Sequence, residues 1–390
     1  MSTLMSSPVV QSRLSSLSGD ANRRLVSEDH HRKFMSSLRG TELLKLYRRF
    51  TLDFHADPAL EEMDRDTADF LYQRGFLPEK IALYGLSPKN VDFYLSDMQR
   101  WATRFINEPY SIVFNNKVLF NQVFGRHCDV PGVIATFRRG RVVTYGDDWQ
   151  RIIAGDVHHR LLIAKPLGGG GGGDIYFVRI EGLHAVIETN ASQDNRQVVR
   201  VSELERILLA QTVPFILNDY VVQSDFSRSL FPLTVNTLRV LVIRDQVTTL
   251  PVLVRATQRI GTRESYPIDN FSLGGLSAEV NLGTGELCHA VAGAGLYKGT
   301  GIKEHPDTGE VLLGRRIPDW QAIKEGLCLL FVKLPYLQYC GFDIIHGNGG
   351  FTVLEGNSYS QVRLFQMNRP LLEDASLVAF YRDKGIIVDR

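Results

Sequence analysis

Beyond about residue 110, apolar and polar residues alternate in short runs, and this period-two pattern predicts β-strands. Pairs of runs flank short turns, so most of these strands are predicted to form antiparallel hairpins. A single strand is predicted at 215–223, and helices are predicted at 202–211 and 319–333. The predicted hairpins cover 132–145, 175–189, 238–255, 278–291 and 341–357. Many hairpins with few helices indicate an α+β fold.

The first hundred residues follow a different pattern. Residues 1–20 are serine-rich and lack an apolar core, which predicts a disordered tail. In residues 21–106 charged residues are frequent, and apolar residues recur at the spacing of an α-helix. Their clearest helix is predicted to begin at Ser87-Pro88, where an N-cap residue precedes proline. Its apolar stripe is assigned to core packing and consists of Val91, Tyr94, Leu95, Met98, Trp101 and Phe105.

The composition of the chain argues against several classes of function and location. The 390-residue chain carries 44 Lys and Arg against 43 Asp and Glu, so no basic field favours nucleic acid as a partner. No run of about 18 apolar residues predicts a membrane span, and the N-terminus lacks the apolar segment of a secretory signal. The four cysteines have no C-x-x-C spacing, which favours reduced thiols. We therefore expect a cytoplasmic protein that acts on small molecules.

The strongest chemical signal lies in the last predicted hairpin. Asp343 is on its first strand, and Glu355 and Asn357 are at the end of the second. Because Glu355 and Asn357 are two residues apart, an extended strand points both to one face. An odd number of loop residues would bring Asp343 to the same face. Hard oxygen ligands without Cys or His suit Mg²⁺, and with so few carboxylates, phosphates usually complete its shell.

A phosphate-binding loop is also present. An apolar strand over 161–166 ends in Lys165-Pro166 and leads into six consecutive glycines, Gly168 through Gly173. Glycine amides can wrap an anion because no Cβ blocks the approach, and Lys165 supplies a positive charge. A predicted hairpin follows the glycines, which excludes a dinucleotide fingerprint, and the chain has no P-loop motif. A flexible linker is the alternative interpretation of the glycine run.

The order of these parts resembles that of ATP-grasp enzymes. Lys117 comes first, Lys165 and the glycine loop follow, and the triad Asp343, Glu355 and Asn357 comes last. More closely, the chain resembles the branch called sugar-transfer-associated ATP-grasp, on the segments 110–117, 236–240, 269–275 and 305–309. The resemblance runs from about residue 85 to about residue 370. It implies two α+β lobes whose antiparallel sheets clamp ATP.

The resemblance also implies a domain organisation. We expect a disordered tail at 1–20 and a helical N-terminal region at 21–109. A first ATP-grasp lobe with the glycine-rich lid would follow at 110–218, and a second lobe with the metal site at 219–390. The helical N-terminal region is a candidate surface for a homodimer or a platform for the substrate.

Nucleotide contacts are implied in the same way. Lys117 and Lys165 would contact the phosphates, under a lid that includes Gly169, Gly170, Gly171 and Gly172. The interlobe hinge, whose backbone hydrogen-bonds adenine in the family, corresponds to Tyr220, Val221, Val222 and Gln223. A nearby acid would hold the ribose. Asp219 and Asp225 are both candidates, and an ordinary surface role is the alternative for each.

Two arginines complete the candidate site. Arg239 lies among apolar neighbours in a predicted strand, where a cation needs a partner, and Arg259 precedes a glycine-rich loop. Arginine stabilises charge on a transferring phosphoryl group, so Arg239, Arg259 and Lys165 are the candidate catalytic residues. A structural ion pair is the alternative for both arginines. His305 is expected to be a turn element rather than a base. The candidate substrate-binding residues are Arg263, Asp269 and Asn270.

These expectations converge on an ATP- and Mg²⁺-dependent carboxylate–amine ligase. ATP would phosphorylate a substrate carboxylate, and an amine would displace the phosphate to form an amide, with release of ADP. A phosphotransferase that moves the γ-phosphoryl group to a hydroxyl is the second hypothesis, because the same clamp could serve it. A non-catalytic nucleotide-binding module is the third, and the intact triad argues against it. The sequence specifies neither the acid nor the amine.

Overall fold

Two antiparallel β-sheets form the framework of the protein. The computed structural model describes residue 42 and residues 44–168, 174–189, 196–294 and 301–387. Within these ranges seven strands form one sheet and six form the other, and all neighbouring strands pair antiparallel. The α+β fold with antiparallel sheets, expected from the sequence, is confirmed.

Helices precede, connect and follow the strands. No described helix combines the length and the apolar character that a membrane crossing requires. The helices are α1 (44–55), α2 (Arg65–Arg74), α3 (Lys80–Tyr84), α4 (Asp97–Ala102), α5 (Ile112–Asn115), α6 (Lys117–Phe124), α7 (Asp148–Ala154), α8 (Val201–Leu209), α9 (Asp225–Leu230), α10 (Trp320–Lys333), α11 (Arg363–Gln366) and α12 (Ala375–Asp383).

The seven-stranded sheet presents Lys165 on its uncovered side. Leu162 and Ala164 of β3 are buried with Trp149 of α7 and Leu204 of α8, so these helices cover one face. Because side chains alternate along a strand, Lys165 points to the opposite face. The strands are β1 (Val133–Arg138), β2 (Arg141–Thr144), β3 (His159–Pro166), β4 (Tyr176–Glu181), β5 (His184–Thr189), β6 (Gln197–Arg200) and β7 (Phe215–Asp219). Their order is β2-β1-β7-β3-β4-β5-β6.

The six-stranded sheet separates an apolar face from a charged one. Val240 and Phe342 are buried against Phe331 of α10, whereas alternation points Arg239 and Asp343 to the other face. The strands are β8 (Leu238–Arg244), β9 (Pro251–Ile260), β10 (Leu276–Val280), β11 (Leu287–Ala292), β12 (Tyr339–Gly347) and β13 (Gly350–Asn357). Their order is β11-β10-β9-β8-β12-β13.

The helical N-terminal region contains short helices instead of the long one expected from Ser87-Pro88. A 3₁₀ turn at Val91–Phe93 follows that site, and α4 begins only after Ser96, which caps it. The backbone N–H of Leu95 donates to the side-chain oxygen of Gln366 at 2.7 Å, so a tertiary contact replaces a helical one. The predicted apolar stripe is nevertheless buried or half-buried, as expected.

Helices α5 and α6 pack with the six-stranded sheet. Phe114, Phe120 and Phe124 belong to its apolar core, and the ring centroids of Phe124 and Phe342 are 6.1 Å apart. The sequence-based division assigns these helices to the first lobe, at 110–218, together with the seven-stranded sheet. That division stays a prediction, and the packing of α5 and α6 favours a later start for the first lobe.

The predicted strand at 215–223 is shorter than expected. Strand β7 ends at Asp219, and α9 begins at Asp225 after Ser224, whose side chain caps it. Residues 220–223 therefore form an irregular connection from the seven-stranded sheet toward the six-stranded one.

Replacing Phe124 by alanine is expected to lower the free energy of unfolding by about 3–5 kcal/mol, because the change leaves a cavity in the core. Phe93→Ala is the matched control, since Phe93 is 46% exposed, and it should cost less than about 1 kcal/mol. Urea denaturation measures both variants. Equal losses would contradict the packing of α6 in this core.

Candidate active site

Arg239, Asp343 and Glu355 lie side by side on three adjacent strands. The register pairs Arg239 of β8 with Asp343 of β12, and Asp343 with Glu355 of β13. Residues directly opposite each other in antiparallel strands point to the same face, with Cβ atoms about 4.5–5.5 Å apart. The charged face therefore carries a row of one cation and two anions.

A β-bulge brings Asp343 and Glu355 opposite each other. The turn between β12 and β13 contains two residues, Asn348 and Gly349, so the odd-numbered loop considered from the sequence is not what the protein uses. Instead the register shifts after Asp343, which leaves Leu354 without a partner in β12. One extra residue in a strand moves the following side chains to the other face. The predicted juxtaposition of the carboxylates is thus present for a different reason.

Asp343 is held by two arginines. Arg239 donates from Nε to Asp343 Oδ1 and from Nη2 to Asp343 Oδ2, the second of these at 2.7 Å. Arg259 Nη1 lies 3.7 Å from the same Oδ2. Arg259 also pairs with Asp269 at 2.8 Å, and Asp269 accepts a hydrogen bond from the backbone of Thr237. Burial raises the pKa of Asp343 and the Glu355 carboxylate adds to this, while Arg239 opposes both.

Glu355 faces two lysines that come from outside its own sheet. Burial alone would raise its pKa, but Lys165 of β3, Lys117 of α6 and Arg239 lower the pKa of Glu355 to about 2. The pKa of Lys165 is also lowered, because burial disfavours its charged form and the neighbouring Glu355 carboxylate only partly offsets this effect. The backbone of Lys117 donates to Leu167 O at 3.3 Å, next to the start of the glycine run. The structure thus brings both predicted lysines to the predicted metal ligands.

The side-chain amide of Asn357 lies beside the Glu355 carboxylate. Its amide nitrogen donates to Gly341 O at 3.2 Å and to Glu355 Oε1 at 3.5 Å. The described ranges contain no group of three or more His, Cys, Asp or Glu residues suited to a metal. Two carboxylates and one amide fit a hard cation such as Mg²⁺, provided that phosphate oxygens complete its coordination.

The predicted hinge leaves the seven-stranded sheet at the end of β7, beside its neighbour β3. Tyr220 donates from its backbone to Leu161 O at 3.0 Å, and Val222 is 58% exposed. Gln223 is buried, where it donates to Thr234 O at 2.7 Å and accepts from Asn236 N at 2.9 Å. The side chain of Gln223 therefore stabilises the connection between the sheets rather than facing a ligand.

The two candidate ribose acids have different surroundings. Asp219 pairs with Arg160 at 2.8 Å, and Arg160 also pairs with Asp148 at 2.9 Å, so Asp219 belongs to a structural ion-pair network. Asp225 is exposed at the start of α9, where Asn348 Nδ2 donates to it at 3.4 Å. Of the two acids, Asp225 is the one with an exposed side chain, and Asp219 is engaged by an arginine.

A cleft of about 220 Å³ lies between the sheets next to this hinge. Its walls include Leu161, Phe177 and Tyr220 on one side and Val235 and Pro267 on the other. The Tyr266 hydroxyl donates to Glu188 Oε2 at 3.1 Å and links the same two sides. Apolar walls beside exposed hinge backbone suit a planar base.

Of the remaining candidate residues, some stabilise turns or pack in the interior, and others are exposed to solvent. Asn270 caps a short turn by accepting from Ser272 N at 2.9 Å, and the side chain of Arg263 is exposed. His305 is buried, stacked on Phe231, with Nε2 2.8 Å from Gly261 O, and burial lowers its pKa. His305 is thus a structural element, as expected. The predicted lid residues Gly169, Gly170, Gly171 and Gly172 lie outside the described residues.

Sequence reasoning missed three residues next to the triad. Ser360 is buried near Gly341, and Arg100 and Arg104 of the helical region approach Tyr359, which follows the triad by two residues. The segment Ser358-Tyr359-Ser360 directly after Asn357 was the available signal. The two arginines carried no such signal, because they lie more than 250 residues earlier in the chain.

Comparison with known protein families decides the assignment. The family model described as sugar-transfer associated ATP-grasp matches residues 98–377, which is most of the chain. The chain belongs to the sugar-transfer associated ATP-grasp family. A comparison with curated proteins finds no significant match.

Solved structures of ATP-grasp proteins are similar only at a distance. The ATP-grasp ligase PsnB, complexed with minimal precursor, Mg and ADP, has 16% identity and a TM-score of 0.35, over 72% of this chain and 61% of PsnB. D-cycloserine synthetase DcsG has 14% identity and a TM-score of 0.36, over 80% of this chain and 82% of that protein. D-alanine–D-alanine ligase from Bacillus anthracis, complexed with ATP, has 10% identity and a TM-score of 0.33. The similarity covers 71% of this chain and 65% of that ligase. The chain thus spans about three fifths of PsnB, and at these TM-scores the family match, rather than these likenesses, identifies the chain.

Arg239→Met is expected to lower the free energy of unfolding by about 3–5 kcal/mol, because it leaves the buried Asp343 charge without its main partner. The double variant with Asp343→Leu should lose less than the single variant. Arg316→Met is the control, since its pair with Glu286 is exposed and worth about 0–1 kcal/mol. Chemical denaturation measures all three, and a double variant less stable than the single one would contradict the account.

Proposed function

We propose that this ATP-grasp protein is an ATP- and Mg²⁺-dependent carboxylate–amine ligase that works through an acyl phosphate. The observation that carries the proposal is that Lys165 and Lys117 lie near the half-buried Glu355, which pairs on the neighbouring strand with the buried Asp343. Such a site offers cations for phosphate oxygens and anions for a metal ion within one cluster. Membership of the ATP-grasp family supports the nucleotide, and the finer reaction is our proposal.

Magnesium would be held by Asp343, Glu355 and Asn357. When bound, it would neutralise the charge of the nucleotide phosphates and fix their orientation. The chain prepares this position because cations lower the pKa of Glu355 to about 2 and Arg239 contacts both oxygens of Asp343. Each carboxylate oxygen has a second lone pair, so the ion pair with Arg239 is compatible with a metal contact.

The nucleotide would lie between the two sheets. Lys117 and Lys165 would bind its phosphates. The hinge backbone would hydrogen-bond the base at the cleft, through the Tyr220 carbonyl and the peptide groups of Val221 and Val222, since the Tyr220 N–H is bonded to Leu161 O. Asp225 would bind the ribose hydroxyls, because its carboxylate is exposed while Asp219 is engaged by Arg160. Gly169, Gly170, Gly171 and Gly172 would close over the phosphates.

The two arginines receive different roles. Arg239 gives two donors to Asp343, so we assign it to positioning of that ligand. Arg259 keeps its buried Nε without a hydrogen-bond partner among the described residues, and its other nitrogens lie near Asp269 and Asp343. A buried, unpaired donor next to the metal ligands suits the developing charge of a transferring phosphoryl group. Arg259 is therefore the catalytic arginine in this proposal.

The chemistry then follows in two steps. A carboxylate oxygen of the acid attacks the γ-phosphorus, the bond to the β-phosphate oxygen breaks, and ADP leaves. The amine nitrogen next attacks the acyl carbon, inorganic phosphate leaves, and the nitrogen loses a proton to form the amide. Asp269 positions Arg259, Asn270 shapes the adjoining turn, and the exposed Arg263 is available to the substrate.

Glu355→Gln is expected to reduce ADP release by about 100-fold or more, because the variant loses a charged metal ligand without losing volume. Glu310→Gln is the matched control at an exposed glutamate and should keep wild-type rates. A coupled assay of ADP release over a series of Mg²⁺ concentrations measures both. Wild-type rates in Glu355→Gln at saturating Mg²⁺ would contradict the metal assignment.

Hydroxylamine tests the acyl phosphate, since this small nucleophile can replace the natural amine. With ATP, Mg²⁺ and a panel of carboxylic acids, we expect a hydroxamate and one ADP for each hydroxamate formed. Arg259→Gln should lose this activity while it still binds ATP. Mass spectrometry of a stable phosphate ester with no hydroxamate would support the phosphotransferase alternative instead. The absence of both products, with ATP bound, would support a nucleotide-binding module.

A further inference from the structure

Two arginines of the helical N-terminal region lie at the end of the metal-site strand. The guanidinium carbons of Arg100 and Arg104 lie over the Tyr359 ring, 4.2 and 4.7 Å from its centroid. Tyr359 is two residues beyond Asn357, the last predicted metal ligand. Arg100 Nε also donates to Ser360 O at 3.2 Å. The helical region therefore contributes two cations to the edge of the candidate active site.

Within the part of the chain that the structure describes, Arg100 and Arg104 lack a direct ion-pair partner. Arg49, also in the helical region, has an acid partner in Asp53 at 2.8 Å. Among the residues that the structure describes, Arg100 and Arg104 form no ion pair with a carboxylate. Arg100 interacts with Asp97 only at longer range, and Arg104 has only the ring contact. Two guanidinium groups over one ring repel each other, and an aromatic face compensates this weakly in a half-exposed position. An anion between them would satisfy both.

Ser360 lies between this arginine pair and the charged face of the six-stranded sheet. Ser360 is fully buried, and its Oγ has no hydrogen-bond partner among the described residues. The same Oγ fills the space that a Cβ on Gly341 would occupy, and Arg239 Cδ lies 3.7 Å from that point. Ser360 therefore lies between the two arginines, with its side chain toward Gly341 and Arg239 and its backbone carbonyl bonded to Arg100.

We propose that Arg100 and Arg104 bind an anionic group of the substrate, a carboxylate or a phosphate, remote from the reacting carboxylate. The inference rests on the proposed function, because the reacting carboxylate is taken to lie beside Arg259. The planar guanidinium fork suits the paired oxygens of either anion. Tyr359 holds the two forks in place, and the helical N-terminal region selects a substrate that carries this second charge.

The test uses the full chain with saturating Mg²⁺ and the non-hydrolysable analogue AMPPNP, so that the nucleotide phosphate positions are filled. Inorganic phosphate and succinate are then titrated separately by calorimetry. We expect at least one of them to bind the wild-type protein, and Arg104→Gln to weaken that binding by at least tenfold. Binding of phosphate alone identifies a phosphate group, and binding of succinate identifies a carboxylate.

Two matched variants make the outcome decisive. Arg65→Gln removes the same charge from a side chain of the helical region that is 92% exposed, and it should leave anion binding within twofold of wild type. Arg104→Lys keeps the charge without the fork and should also weaken binding. The inference is wrong if neither phosphate nor succinate binds the wild-type protein. It is also wrong if the Arg104→Gln variant binds the anion as tightly as the wild type does. AMPPNP binding is measured in the same samples, and its absence in the wild type would contradict the proposed function instead.

Discussion

The balance of buried charge at Asp343 and Glu355 is the constraint on which the rest of the structure depends. Two carboxylates lie side by side on β12 and β13, and such a pair is unfavourable unless cations compensate it. Arg239 and Arg259 do so from the six-stranded sheet, and Lys117 and Lys165 do so from α6 and β3. Cations on both sides of the pair keep Glu355 ionised, which is the state that a metal ion or a nucleotide complex requires.

This balance explains how the fold divides its tasks. The six-stranded sheet holds the anions rigidly, since its opposite face packs on α10 and on the helices α5 and α6. The seven-stranded sheet presents Lys165 from the side that α7 and α8 leave uncovered. Membership of the ATP-grasp family supports our proposal that the nucleotide binds between the two sheets. The helical N-terminal region adds Arg100 and Arg104 at the edge of the site, where we propose that they select the substrate.

The local pattern of apolar and polar residues predicted many of the strands and hairpins. The features that were predicted wrongly depend on contacts between residues far apart in the chain. Alternation of apolar residues located the hairpins, and oxygen ligands two residues apart located Glu355 and Asn357. The bulge at Leu354 could not be foreseen, because pairing with β12 decides which residue of β13 is left out. The helix expected from Ser87 is interrupted by the contact of Leu95 with Gln366, a residue far along the chain. Arg100 and Arg104 were missed for the same reason, since only folding brings them to Tyr359.

A crystal structure with Mn²⁺ and AMPPNP would test the central claim most directly, because manganese replaces magnesium and is visible by anomalous scattering. We predict an anomalous peak within coordination distance of Asp343 and Glu355, with the AMPPNP phosphates at Lys117 and Lys165 and the base in the cleft beside Tyr220. A nucleotide bound elsewhere, or a metal ion that contacts neither carboxylate, would contradict the account.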